Sequence, residues 1–167
     1  MTTVPVSPAS SAPPAAAAAT SAPAAVQPVG YWTWVAHQTV VRHLRGALAG
    51  IDLTQPQWWV LKDIAAEHAP RTRAELQNRL AAHLDAGPEE IGRAIDALTA
   101  RAWLSTDEAG RVRATDAGRA ATRRAVDVLQ RVRAEIHAGV PEEDYATTLD
   151  VLRRMIRNLG GQAELYP

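Results

Sequence analysis

A mostly α-helical fold with one small β-hairpin is predicted, and three observations predict it. Apolar residues recur at helical spacing in six segments between Tyr31 and Leu159. Residues 72–118 read in order as a helix, a turn, a second helix, a very short Arg-tipped hairpin and the start of a third helix. The segments flanking this block carry apolar stripes too rich to sit alone in water. Together these give a winged helix-turn-helix with flanking N- and C-terminal dimerisation helices. In that architecture one helix enters a DNA major groove and the hairpin lies on the adjoining backbone.

The elements follow one by one. From Tyr31 to about Leu48, Trp34, Val41, Leu44 and Leu48 share one side of a helix, which Trp32, Val35 and Val40 widen; Gly50 is expected to stop it. Thr54-Gln55-Pro56-Gln57 has capping-box form with proline in the first turn, and Trp58, Leu61, Ile64 and Ala65 continue that helix until Ala69-Pro70. Thr72 with Glu75 is a second capping box, and Leu76, Leu80 and Leu84 form the stripe of the third helix. Gly87-Pro88 opens a fourth, whose buried side is Ile91, Ala94, Ile95 and Leu98. Ala102-Trp103-Leu104-Ser105 and Gly110-Arg111-Val112-Arg113 read as paired strands around a turn-rich 106–110. Thr115 caps a long fifth helix with Ala121, Ala125, Val128, Val132 and Ile136 at helical spacing. Gly139 and Pro141 separate it from a last helix carrying Tyr145, Leu149, Leu152, Met155, Ile156 and Leu159, ended by Gly160-Gly161.

The domain organisation that results has four parts: a Pro/Ala-rich tail over 1–28, expected to be disordered; a dimerisation helix over 29–52; a DNA-binding lobe over 53–115; and C-terminal dimerisation helices over 116–161. The tail holds no charged side chain, and its prolines break the apolar core that a secretory signal requires. Apolar burial at roughly 25 cal/mol per Å² gives the flanking helices reason to pack against a second copy.

Composition narrows the function classes. A chain of 167 residues suits one domain with a real core, and no run of 18 apolar residues indicates a membrane span. The absence of cysteine excludes disulfides, thiolate zinc sites and thiol redox sensing, and fits a cytoplasmic protein. A formal net charge of zero argues against a non-specific nucleic-acid coat. The basic residues are nearly all arginine, with Lys62 the only lysine, a bias that phosphate recognition and a GC-rich genome both produce.

Four stretches, in order, resemble one family. Leu53-Thr54-Gln55-Pro56-Gln57-Trp58-Trp59-Val60-Leu61 resembles the opening of the second helix in the multiple antibiotic resistance regulator (MarR) family. The run from Pro88 to Leu98 is similar to its recognition helix, Arg113 to Arg119 to the segment that leaves its wing, and Pro141 to Leu159 to its last dimerisation helix. The resemblance covers about residues 30–161. It implies a homodimeric repressor on a pseudo-palindromic double-stranded DNA operator, released by a small, often aromatic or phenolic, effector. Three features depart from the family pattern. Its recognition helix usually starts with hydroxyl residues, where this chain has Glu89-Glu90; only Gly110, Arg111 and Val112 separate the wing turn from Arg113; and the turn over 81–86 is slightly long.

With that resemblance, Arg93 on the polar face of the fourth helix is the leading DNA-contact candidate, one turn after Glu89 and Glu90. Glu89 and Glu90 either stabilise the helix N-terminus or accept from a cytosine amino group. Arg111 and Arg113 flank a residue that points the other way, so both face one side of the hairpin. Arg71, Arg73 and Gln77 stand where the third helix can meet the DNA backbone. Trp32, Trp34, Trp58 and Trp59 lie on the two helices that border the family's effector pocket; at least one of the four is expected to line an effector cavity with His37 or Arg42, the alternative for each being packing in the core or dimer interface. The adjacent Trp58 and Trp59 diverge by about 100°, so they are expected to divide between core and pocket or partner.

No metal site and no cofactor are expected. His37 and His43 stand six apart, off any helical register, and His68 and His83 are distant in sequence. No nucleophile–base pair or phosphate loop suggests an enzyme. The alternative from another class is a winged-helix interaction protein without tight DNA binding, which neutral charge, Glu89-Glu90 and the short wing favour.

Overall fold

The structure is a computed structural model that describes residues 27–66, 71–81 and 87–163. The tail before residue 27, the helix ends expected at Ala69-Pro70 and Leu84, His68, His83 and the turn over 82–86 lie outside the described residues. The elements run α1 (Val29–Ala49), α2 (Gln55–Ala66), β1 (Arg71–Thr72), α3 (Arg73–Ala81), α4 (Pro88–Ala100), β2 (Leu104–Thr106), β3 (Arg111–Ala114), α5 (Asp116–His137) and α6 (Glu142–Asn158).

The caps form as the sequence indicates. The Thr54 N–H donates to the Gln57 side chain (3.0 Å) while Gln57 N–H returns to Thr54 Oγ1 (3.4 Å). The Thr72 and Glu75 box closes the same way, at 2.7 and 3.3 Å. Thr115 Oγ1 accepts from Gly118 N–H (3.1 Å) and donates to Ala102 O (2.7 Å), tying the start of α5 to the turn before β2. Gly50 follows α1 but stays right-handed, at φ −62°; the reversal falls on Asp52, at φ 56°. The glycine therefore marks the helix end without making the turn.

Two findings differ from the sequence expectation. First, the hairpin is part of a three-stranded antiparallel sheet, ordered β1-β3-β2, with Arg71 opposite Val112 and Leu104 opposite Ala114. A strand of two residues has no alternation for a pattern search to detect. Second, two of the flanking helices, α1 and α5, share the core of the winged-helix lobe. One core holds Val60 and Leu61 of α2, Leu76 and Leu80 of α3, Ile91, Ile95 and Leu98 of α4, Leu104 and Val112 of the sheet, and also Leu48 of α1 and Ala121 and Ala125 of α5. The end of α1 and the first half of α5 are anchored in it because their apolar stripes run on past the lobe.

Beyond that anchor the helices are largely open, although Val132 of α5 stays buried. Trp32 and Trp34 are 53% and 59% exposed, and α6 has no buried residue. Val151, Met155, Ile156 and Leu159 of α6 and Val126 and Ile136 of α5 are exposed as well. Among the described residues no helix is long and apolar enough to cross a membrane.

Candidate nucleic-acid interface

α4 is built to show one face. Ile91, Gly92, Ala94, Ile95 and Leu98 are buried, so Glu89, Arg93 and Asp96 stand exposed one turn apart along the opposite side. Gly87, at φ 76°, supplies the left-handed turn into the helix, and Pro88 fits its first position. The two leading carboxylates part company. Glu89 points to solvent with Arg93 Nη1 3.9 Å away, whereas Glu90 is half-buried and lines a cleft of about 350 Å³ with Arg45, Gln55 and Trp59.

α3 fixes α4 through three contacts. Gln77 Nε2 donates to Pro88 O at 3.0 Å, at the first turn of α4. Arg73 grips both Asp96 carboxylate oxygens, one of them at 2.8 Å. That hydrogen-bonded guanidinium holds the Asp96 carboxyl below its ordinary range and raises the Arg73 pKa. Gly92 lets the helices come this close: a Cβ there would lie 2.8 Å from Gln77 Nε2 and 2.9 Å from an Arg73 nitrogen. Arg71 is turned inward, with its Nε 3.2 Å from the nearly buried Asp63 carboxylate of α2, which also accepts from Arg79 Nε at 2.7 Å. The three residues expected at the DNA backbone, Arg71, Arg73 and Gln77, thus each have a partner inside the fold.

The wing is organised by one carboxylate. Asp107 Oδ1 accepts the backbone N–H groups of Ala109 (3.1 Å) and Arg111 (2.9 Å), and Oδ2 accepts Arg111 Nε (2.9 Å) and Arg113 Nε (3.3 Å). The Arg111 N–H, then the two guanidiniums, hold its pKa below the ordinary value. Gly110, at φ 74°, completes the turn. Val112 is buried while Arg111 and Arg113 are exposed on the other side, as the pleat requires. The short wing therefore presents two oriented arginines.

The six effector-pocket candidates are not gathered in one place. Trp32 and Trp34 are on the exposed outer part of α1, and His37 is exposed on the same helix. Trp58 and Trp59 both pack against the core, and Trp59 also lines the small cleft beside Glu90. Only Arg42 reaches the larger cleft, about 670 Å³ between α1 and α5, floored by Ile51, Val128 and Val132 and rimmed by His43, Arg131 and Glu135. His43 Nε2 and Glu135 Oε2, 2.7 Å apart, close one side of it. The two adjacent tryptophans were expected to divide between core and pocket or partner, but both lie against the core, and the second wall of the larger cleft comes from α5. Among the described residues no cluster of three or more His, Asp or Glu side chains could hold a metal ion.

A helix with one buried side, pinned by a preceding helix and followed by an arginine-bearing hairpin, defines a winged helix-turn-helix with the fold of the MarR regulators. The reduced form of MarR from E. coli superposes with a TM-score of 0.62 at 23% identity, over 78% of this chain and 95% of that one. The MarR family protein Rv2887 of Mycobacterium tuberculosis, in complex with DNA, gives 0.61 at 21% identity, over 81% and 99%. A MarR family transcriptional regulator from Rhodococcus sp. RHA1 gives 0.62 at 19%, over 76% and 92%. No family model matches the chain, and no curated protein matches its sequence.

Proposed function

We propose that this chain is a DNA-binding transcriptional regulator that works in the cytoplasm as a homodimeric repressor on a pseudo-palindromic operator. The carrying observation is the outward face of α4, with Arg93 71% exposed on a helix held by Gln77 and Arg73. Arg111 and Arg113, fixed by Asp107, supply the second contact to the duplex. The open apolar sides of α1 and α6 support a dimer, since a second copy is the partner that removes both at once, and a two-fold axis spaces two α4 helices by about one DNA turn. That one similar protein was solved with DNA adds support. A small aromatic or phenolic effector fits the cleft between α1 and α5, where arginines rim an apolar floor.

Selection of duplexes from a random pool with the purified full-length chain tests this reading. Enriched sequences with two inverted half-sites one turn apart are expected. A pool that stays random at low salt contradicts it. The second reading, a winged-helix interaction protein, is favoured by Glu89 and Asp96 on the outward face and by the zero net charge, and an unenriched pool is its signature.

A further inference from the structure

The outward face of α4 carries an unusual pair for a helix facing DNA. Glu89 is 89% exposed in its side chain, stands in the first turn, and has Arg93 one turn behind it at 3.9 Å. Asp96, further along the same face, is already taken by Arg73. Glu90, the other carboxylate of the first turn, is half-buried and lines the cleft with Arg45 and Trp59. Of the four charged groups on or near this face, Glu89 is therefore the carboxylate left facing outward with only a long, solvated ion pair.

A carboxylate pushed toward a duplex meets phosphate oxygens and base acceptors almost everywhere, and both repel it. The major-groove edge of cytosine is the exception, because it offers an amino donor and no acceptor. Adenine offers a donor beside N7, thymine only an acceptor and a methyl, and guanine two acceptors. Arginine has the complementary preference, for the two acceptors of guanine. We propose that Glu89 and Arg93 together make the base-reading unit of α4 and restrict each operator half-site to a step of two C·G pairs, with Glu89 selecting the cytosine of one pair and Arg93 the guanine of the neighbouring pair. The inference rests on the DNA-binding reading above and adds the identity of the bases.

The ion pair between the two residues serves this role. The neighbouring guanidinium, 3.9 Å away, lessens the repulsion Glu89 would otherwise feel from the backbone. The acid then acts mainly by rejecting wrong sequences, which is specificity by penalty rather than by added affinity.

Duplex selection from a random pool, run in parallel with the wild-type chain and with Glu89→Gln, Glu89→Ala and Arg93→Ala, tests it. Wild type is expected to enrich cytosine at one position per half-site and guanine in the neighbouring base pair, each by about tenfold over other bases. Glu89→Gln is expected to move that position toward adenine, whose N6 and N7 a carboxamide matches. Glu89→Ala is expected to level it while leaving half-site spacing intact, and Arg93→Ala to level the guanine position. Glu89 is too exposed for either substitution to disturb folding, which an unchanged thermal melt confirms. Enriched sites whose cytosine frequency is the same in all Glu89 variants overturn the inference and leave DNA binding standing. No enrichment by wild type overturns both.

Discussion

Gly92→Ala separates the stability of the fold from the positioning of α4, the proposed reading helix. Gly92 is buried where α3 crosses α4. Alanine in a helix interior is favoured over glycine by about 1 kcal/mol. The new methyl lies 2.8 Å from Gln77 Nε2 and 2.9 Å from an Arg73 nitrogen, closer than real contacts allow. Both obstacles are ends of flexible side chains, so they swing away instead of driving the helices apart. Moving Gln77 breaks its bond to Pro88 O, a loss of about 1 kcal/mol, and moving Arg73 loosens an exposed pair with Asp96 that contributes about 0–1 kcal/mol. Gain and loss nearly cancel, so unfolding in urea, followed by tryptophan fluorescence, is expected to shift by less than about 1 kcal/mol. Binding behaves differently. Without the Gln77 and Arg73 contacts α4 is free to tilt, and affinity for the selected duplex is expected to fall about tenfold, equivalent to about 1.4 kcal/mol. An affinity unchanged at unchanged stability would show that the α3 contacts do not position the reading face. A large loss of stability would show that the crossing is a packing contact first.

Other outcomes follow from single contacts. Gly118→Ala puts a Cβ 2.0 Å from the backbone oxygen of Trp103, which cannot swing aside, so a loss of about 3 kcal/mol or more is expected in the same urea assay; a near-neutral effect contradicts the close approach of α5 to that turn. Asp63→Ala leaves Arg71 and Arg79 without their shared carboxylate, and a loss of about 2–4 kcal/mol is expected, reduced because both arginines keep some water; a melt within 1 °C of wild type contradicts it. Asp107, Asp96 and Glu75 have folded-state pKa values below their ordinary 3.8, 3.8 and 4.5, held there by the Arg111 N–H, the Arg73 guanidinium and the Thr72 N–H respectively. Their stabilisation is therefore full above the ordinary carboxylate range and is lost as pH falls through the lower folded values. Carboxyl-carbon NMR titration should place all three midpoints below the ordinary values, and a midpoint at or above them contradicts the assigned hydrogen bonds.

The helices were legible because their signals are local. Thr54, Thr72 and Thr115 each announce a cap within three or four residues, and Ile91, Ala94, Ile95 and Leu98 announce the buried side of α4 by period alone. What was hidden depends on contacts between distant segments. Asp63 looks like any polar residue of a helix until β1 and α3 bring Arg71 and Arg79 to it. Asp96 reads as solvated until Arg73, 23 positions earlier, reaches it. The commitment of Arg71, Arg73 and Gln77 to the fold has the same origin. Asp107 was the one organiser within reach of sequence reasoning, since an aspartate four positions before Arg111 across a glycine turn is a local pattern. The tryptophans are a different case: residue type suggests an aromatic pocket, but whether Trp32 and Trp34 line one depends on a surface that a single copy of the chain leaves open.

Sedimentation velocity of the full-length chain, alone and with a selected duplex, bears most directly on the proposed DNA-binding dimer. The chain alone is expected to sediment as a particle of twice 17.9 kDa, and to add as that same dimer to one duplex. A 17.9 kDa particle at high concentration that ignores the duplex would contradict it.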